Sequence, residues 1–204
     1  MSSSQTHITH FFPGYLRPFQ CMLAAKCPFS ELGKLRLPLW ETPKIDGIRC
    51  VTFELPGDRA NWYCLPLSRH MKRIPNRWIA NAIGENCPPG LDGEIVALED
   101  SEPGEAPMIK GYYETSSAVL SFDGQPKFQY LVFDYITPQT RELGYLQRLD
   151  QLRKLRLPDF CKILEPTQVK TVEELQELVN RRSEERRVGK ECNASWGCGG
   201  GGVG

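Results

Sequence analysis

Several features that mark other protein classes are missing from this chain of 204 residues. No stretch approaches the roughly 18 consecutive apolar residues that a membrane-spanning helix needs, so no membrane contact is expected. Met1 to His10 has neither a basic leader nor an apolar core, which argues against a secretory signal. Histidine is scarce (His7, His10 and His70), and the eight cysteines include no C-x-x-C pair, so no zinc pattern is complete. The scattered Cys21, Cys27, Cys50, Cys64, Cys87 and Cys161 read as reduced core or surface residues. Neither sign of charge predominates, with 25 basic and 25 acidic residues, so any polyanion must be met by a local patch. These absences leave a soluble intracellular globular protein as the default, and a monomer is expected.

What is present patterns as an α+β domain with a largely antiparallel sheet and flanking helices. Residues 1–14 read as a flexible N-terminal tail, and Tyr15 to Leu39 as short elements and turns. A strand leads into Lys44. After a turn at Asp46-Gly47, Arg49, Val51 and Phe53 alternate with Cys50, Thr52 and Glu54, the period of a strand. Pro56-Gly57-Asp58 is a turn before a returning strand over Trp62 to Leu67. A helix is expected over Pro75 to Ile83, with Pro75 in its first turn. Leu91 to Leu98 reads as a strand interrupted by a turn, 99–110 as an acidic surface loop, and Phe128 to Ile136 as a buried strand. Leu146, Leu149, Leu152 and Leu155 suggest an amphipathic helix, and Thr171 with Glu174 a capping box for another.

Two short segments carry chemistry. Pro43-Lys44-Ile45-Asp46-Gly47-Ile48-Arg49 sets a lysine beside a tight turn, and Leu91-Asp92-Gly93-Glu94-Ile95-Val96 follows it. Alone, each Asp-Gly pair is first a hairpin signal. Lysine as a nucleophile must lose its proton, and its ordinary pKa of about 10.4 has to fall for that to happen near neutrality. Nearby cations and partial desolvation would do this, with Arg49 the obvious local cation. The densest basic run is Arg69, His70, Lys72, Arg73 and Arg77, a candidate surface for phosphate.

In this order and at this separation the segments resemble the first and third motifs of the covalent nucleotidyltransferases, closest to small, phage-type ATP-dependent DNA ligases over residues 16–180. The resemblance adds Ser68-Arg69, Tyr130-Leu131-Val132-Phe133-Asp134-Tyr135, and Thr115 to Ser121 followed by Gly124-Gln125-Pro126. It implies an ATP-grasp-like adenylation domain in which Lys44 attacks the ATP α-phosphate to give lysyl-AMP. Asp46, Gly47, Arg49, Arg69, Glu94 and Phe133 would join Lys44 in binding the nucleotide. Phe133 would stack on the purine, and Glu94 would meet a ribose hydroxyl or a metal-bound water. Arg69, Lys72, Arg73 and Arg77 would face nucleic acid. ATP, Mg²⁺ or Mn²⁺, and nicked double-stranded DNA are the implied cofactors and partner, in the cytoplasm of a bacterium or phage-infected host.

The family's later Glu-Gly segment, its paired lysines and its OB-fold do not appear, so a truncated adenylation domain over 15–181 is expected. The run Arg182 to Cys192 resembles the translation of a sequencing-library adapter and leads into Gly-rich sequence, so 182–204 is expected to be a non-native tail. Two other readings stay open: an RNA ligase or GTP-dependent capping enzyme, which ATP-against-GTP competition would separate, and an inactive nucleotide-binding fragment that forms no lysyl adduct.

Overall fold

A computed structural model describes residues 21–22, 27–54, 63–101 and 106–180. The expected tails at 1–14 and 182–204 and the turn at Pro56-Gly57-Asp58 lie outside the described residues. In chain order the elements are a 3-10 helix (Phe29–Lys34), β1 (Leu39–Glu41), β2 (Ile48–Glu54), β3 (Cys64–Ser68) and α1 (Arg77–Asn86). They continue with β4 (Leu91–Ala97), α2 (Tyr112–Leu120), β5 (Phe128–Tyr135), α3 (Tyr145–Arg153), β6 (Cys161–Ile163) and β7 (Thr167–Val169). Residues 172–180 are also helical.

These elements form two compact units. The smaller comprises, among the described residues, 27–42 and 166–180. Its antiparallel pair β1–β7 and the helical residues around it bury Leu32, Val169 and Leu175. The expected cap is there: Thr171 Oγ1 accepts from the Glu174 amide at 3.1 Å. The Glu174 carboxylate in turn accepts from the Lys170 amide at 2.7 Å, one residue earlier than a standard box.

The larger unit, 43–165 with Cys21 and Met22, is built on a five-stranded sheet in the order β3-β2-β4-β5-β6. Its pairs are antiparallel except β5–β6. Period-2 alternation gives the sheet two different faces. Cys50, Ile95, Tyr130 and Val132 share one core with Ile79 and Ile83 of α1, Val119 of α2, and Leu149 and Leu152 of α3. Val51, Phe53 and Leu67 lie on the other face in a separate cluster with Cys21. The described cysteines are free, with Cys50, Cys64, Cys87 and Cys161 buried.

Helix α1 starts two residues later than expected, at Arg77, because Asn76, fully buried, caps it by accepting from the Ile79 amide at 3.0 Å. Pro75 therefore precedes the cap. Helix α2 was not evident from the sequence; its run of Thr and Ser has weak intrinsic preference, and burial of Thr115 and Val119 holds it in place.

The Asp-Gly pairs differ from the expectation. Asp92-Gly93 is not a turn but lies within strand β4, as its second and third residues. A side chain at Gly93 would run into the Leu131 carbonyl and lie 2.7 Å from Cε2 of Tyr130. The glycine thus lets β4 meet the Tyr130 ring, whose hydroxyl donates to the Cys50 carbonyl at 2.9 Å. Gly47 is a bend, with 42–46 irregular. A Cβ there would come within 2.5 Å of the Ile95 carbonyl and 2.7 Å of Cγ of Glu94. Close approach, rather than a hairpin reversal, selects both glycines.

Gly93→Ala should cost about 1–3 kcal/mol of overpacking, or more, since backbone is among the atoms in the way. Urea denaturation of the two proteins checks this through the shift in midpoint at constant slope.

Candidate functional site

The second sheet face gathers chemistry around the junction of β2, β4 and β5. Arg49 and Glu94 are direct cross-strand partners. The β4–β5 register then jumps: Gly93 pairs Val132 and Asp92 pairs Asp134, so Phe133 is the extra residue of a bulge. Bulges re-aim side chains. Here the Phe133 ring lies under the Arg49 guanidinium, 4.5 Å from its carbon to the ring centroid.

Arg49 is held by a partner that sequence reasoning did not assign. Its Nε and Nη2 donate to the two carboxylate oxygens of Asp92 at 2.5 and 2.7 Å. Burial pushes the Asp92 carboxyl above its ordinary range, and the Arg49 hydrogen bonds oppose that rise. Opposite Asp92 on β5, Asp134 takes a second bidentate arginine, Arg148 of α3, at 2.8 Å to each oxygen. Arg148 also donates to the Leu143 carbonyl at 2.7 Å. Two buried carboxylates on paired strands are thus each matched by a forked cation, the geometry that suits arginine and not lysine.

Glu94 connects this array to the lysine. Burial raises its carboxyl above the ordinary glutamate range, while Arg49, Lys44 and the backbone amide of Gly47 act in the opposite direction. Lys44 itself is 73% exposed and paired with Asp46 Oδ1. The described residues therefore do not supply the desolvation expected for the lysine. Arg49, the cation expected to assist it, is already engaged by Asp92.

The basic run leaves the end of β3. Ser68 and Lys72 close a tight turn through a 2.7 Å amide-to-carbonyl bond, with Met71 in the left-handed region at φ 57°. Arg69 sits at its exposed tip and donates from Nε to Nε2 of His70 at 2.9 Å. Arg49, Asp92 and Arg69 all act electrostatically on the half-buried Cys21 thiol, whose pKa is raised chiefly by burial. Arg69 is thus within electrostatic reach of the same neighbourhood. Among the described residues, Arg69, Lys72, Arg73 and Arg77 are exposed and none forms an ion pair. Asp92, Asp134, Arg148 and Cys21 were missed. The Asp of Leu-Asp-Gly-Glu was in view, but its partner is 43 residues away.

The chain is similar to solved structures of the Chlorella virus DNA ligase-adenylate. One matches at 27% identity with a TM-score of 0.56, over 78% of this chain and 55% of that one. A second matches at 27% identity and 0.51, over 72% and 50%. A Lig E DNA ligase structure, described as binding DNA with a minimal scaffold, matches in fold at 20% identity and 0.50, over 72% and 51%. The chain therefore spans about half the length of these ligases. No family model and no curated protein matches it. The resemblance carried by the motifs holds in three dimensions: the architecture is that of an ATP-dependent DNA ligase-like nucleotidyltransferase domain. Among the described residues no helix is long and apolar enough to cross a membrane.

Replacing Asp92 by Asn should strand the partly buried Arg49 charge and cost about 3 kcal/mol, the lower end of the range for breaking a buried pair. Denaturant unfolding of Asp92→Asn beside wild type measures it.

Proposed function

We propose that this chain forms the nucleotide-charging part of an ATP-dependent DNA ligase. The observation that carries the reading is the gathering of Arg49, Glu94 and Phe133 at one strand junction, with Lys44 acting on the same Glu94 carboxylate. In this reading the lone pair of Lys44 Nζ attacks the α-phosphorus of ATP. The bond to the pyrophosphate oxygen breaks, pyrophosphate leaves, and Nζ loses a proton, giving the lysyl-AMP phosphoramidate. AMP then passes to the 5′-phosphate of a nick, and attack by the 3′-hydroxyl seals the strand and releases AMP.

Phe133 is the platform for the purine. A base stacked on the face that Arg49 now covers takes the guanidinium's place, so charging includes a movement of Arg49 off the ring. Asp46, paired with Lys44 before nucleotide arrives, holds the ammonium near Gly47. Arg69 and its neighbours Lys72, Arg73 and Arg77 meet DNA phosphates, to which unpaired exposed cations are suited.

Among the described residues no cluster of three or more His, Cys, Asp or Glu side chains is arranged to hold a metal ion. The half-buried Glu94 carboxylate still suits Mg²⁺, which is commonly held by one or two carboxylates together with substrate phosphates. Glu94 would hold the ion there, and its chemistry is to neutralise phosphate charge.

Incubation with ATP and Mg²⁺ should add one AMP to the intact protein by mass spectrometry, and Lys44→Ala should abolish it. An adduct that survives Lys44→Ala removes the nucleophile from the proposal, and labelling by GTP in preference to ATP removes the ligase. Nucleotide affinity should also carry the signature of Glu94. Its ionised form does the binding, so affinity is full above its raised pKa and is lost as pH falls through that value. The loss should begin above the ordinary glutamate value of about 4.3, and Glu94→Gln should flatten the profile in a pH titration of nucleotide binding.

A further inference from the structure

Away from the nucleotide residues, the N-terminus of α1 and the end of α2 are joined into one surface. The Asn76 amide donates to the Val119 carbonyl and the Arg77 amide to the Phe122 carbonyl, both at 3.2 Å. The Asn76 side chain adds donations to the carbonyls of Asp123 and Gly124 at 3.3 and 3.4 Å. On this seam the Arg77 guanidinium lies 5.2 Å over the ring of Phe122, which is 62% exposed. A phenyl ring this open gains little by burial at that place. Arg77 likewise has no evident role in folding. It occupies the first position of α1, where the helix dipole disfavours a cation, and no acidic residue lies in the first turn to offset it. Asp123, next to Phe122, forms no ion pair with it.

We infer that Arg77 and Phe122 form a phosphate clamp for the DNA substrate. Phe122 acts as a positioning residue that holds the guanidinium plane so its edge is free for bidentate contact with one backbone phosphate. Stacking restricts a long side chain before the ligand arrives, so less rotamer entropy remains to be lost on binding. The partner follows from charge. The clamp continues the unpaired exposed cations Arg69, Lys72 and Arg73 along the chain, and four residues span at most about 14 Å from Arg73 to Arg77. A row of cations without acids at this spacing complements a phosphodiester backbone. This inference rests on the DNA ligase reading and extends it to a second element, the end of α2.

The test is binding of the full chain to a fluorescent nicked duplex by anisotropy over a series of salt concentrations, with AMP-adduct formation by the wild-type chain measured alongside. Arg77→Ala should weaken binding about tenfold. It should also reduce the slope of log affinity against log salt by about 0.9, the value of one phosphate contact. Phe122→Ala should weaken binding in the same direction, and Phe122→Trp, which keeps an aromatic face, should restore it. Phe122 is exposed, so its substitution should leave the thermal midpoint in place. Wild-type affinity and slope in Arg77→Ala, or wild-type affinity in Phe122→Ala, overturns the clamp. A wild-type chain that takes up AMP but does not bind the duplex overturns the clamp and the DNA contacts of the basic run, and leaves the charging step standing. A chain that neither takes up AMP nor binds DNA overturns the ligase reading and the clamp with it.

Discussion

Asp92 is a carboxylate on a central strand, buried and one pairing step from a second buried carboxylate, Asp134. Two such charges in a low-dielectric sheet are tolerated because each receives a forked guanidinium with two hydrogen bonds, from Arg49 and Arg148. The Arg49–Asp92 pair is the constraint on which the surrounding geometry depends. It holds the guanidinium over Phe133, the extra residue where the β4–β5 register shifts, and keeps Arg49 directly across the strand pair from Glu94, on which the charge of Lys44 also acts. Arg148 extends the array to α3, tying the helix layer to the strand that carries the aromatic ring.

The sheet separates stability from chemistry by face. One face is an apolar layer of Cys50, Ile95, Tyr130 and Val132 under three helices. The other carries Arg49, Glu94 and Phe133 at its junction and a smaller apolar cluster around Val51 and Phe53. Charged groups can gather on the second face because the hydrophobic requirement of the strands is largely met on the first. The likeness to Chlorella virus ligase-adenylate structures follows this same architecture, over about half of their length.

Much of the fold could be read in advance. Period-2 alternation located β2, the apolar run located β5, and the Leu spacing located α3, because these patterns are local; of the four leucines Leu149 and Leu152 are buried, whereas Leu146 is exposed and Leu155 lies beyond the helix. Helix α2 could not be read, because its Thr and Ser residues prefer no element strongly and are held by contacts with β2 and β4. The Asp-Gly pairs misled for a related reason. Local statistics attach them to turns, whereas Gly47 and Gly93 are selected by neighbours far along the chain.

The sequence alone determined which residues are available for chemistry. The spacing of Lys44, Asp46, Gly47 and Arg49, the Glu94 segment and the Phe133 segment carry a family resemblance that the architecture matches. Tertiary structure decided the relations among them. Only the paired strands bring Asp92 to Arg49 across 43 residues, and only the register jump puts Phe133 beneath the guanidinium. The physical reason is that residue type is a local property. Burial, register and ion pairing instead exist only once distant segments are packed together.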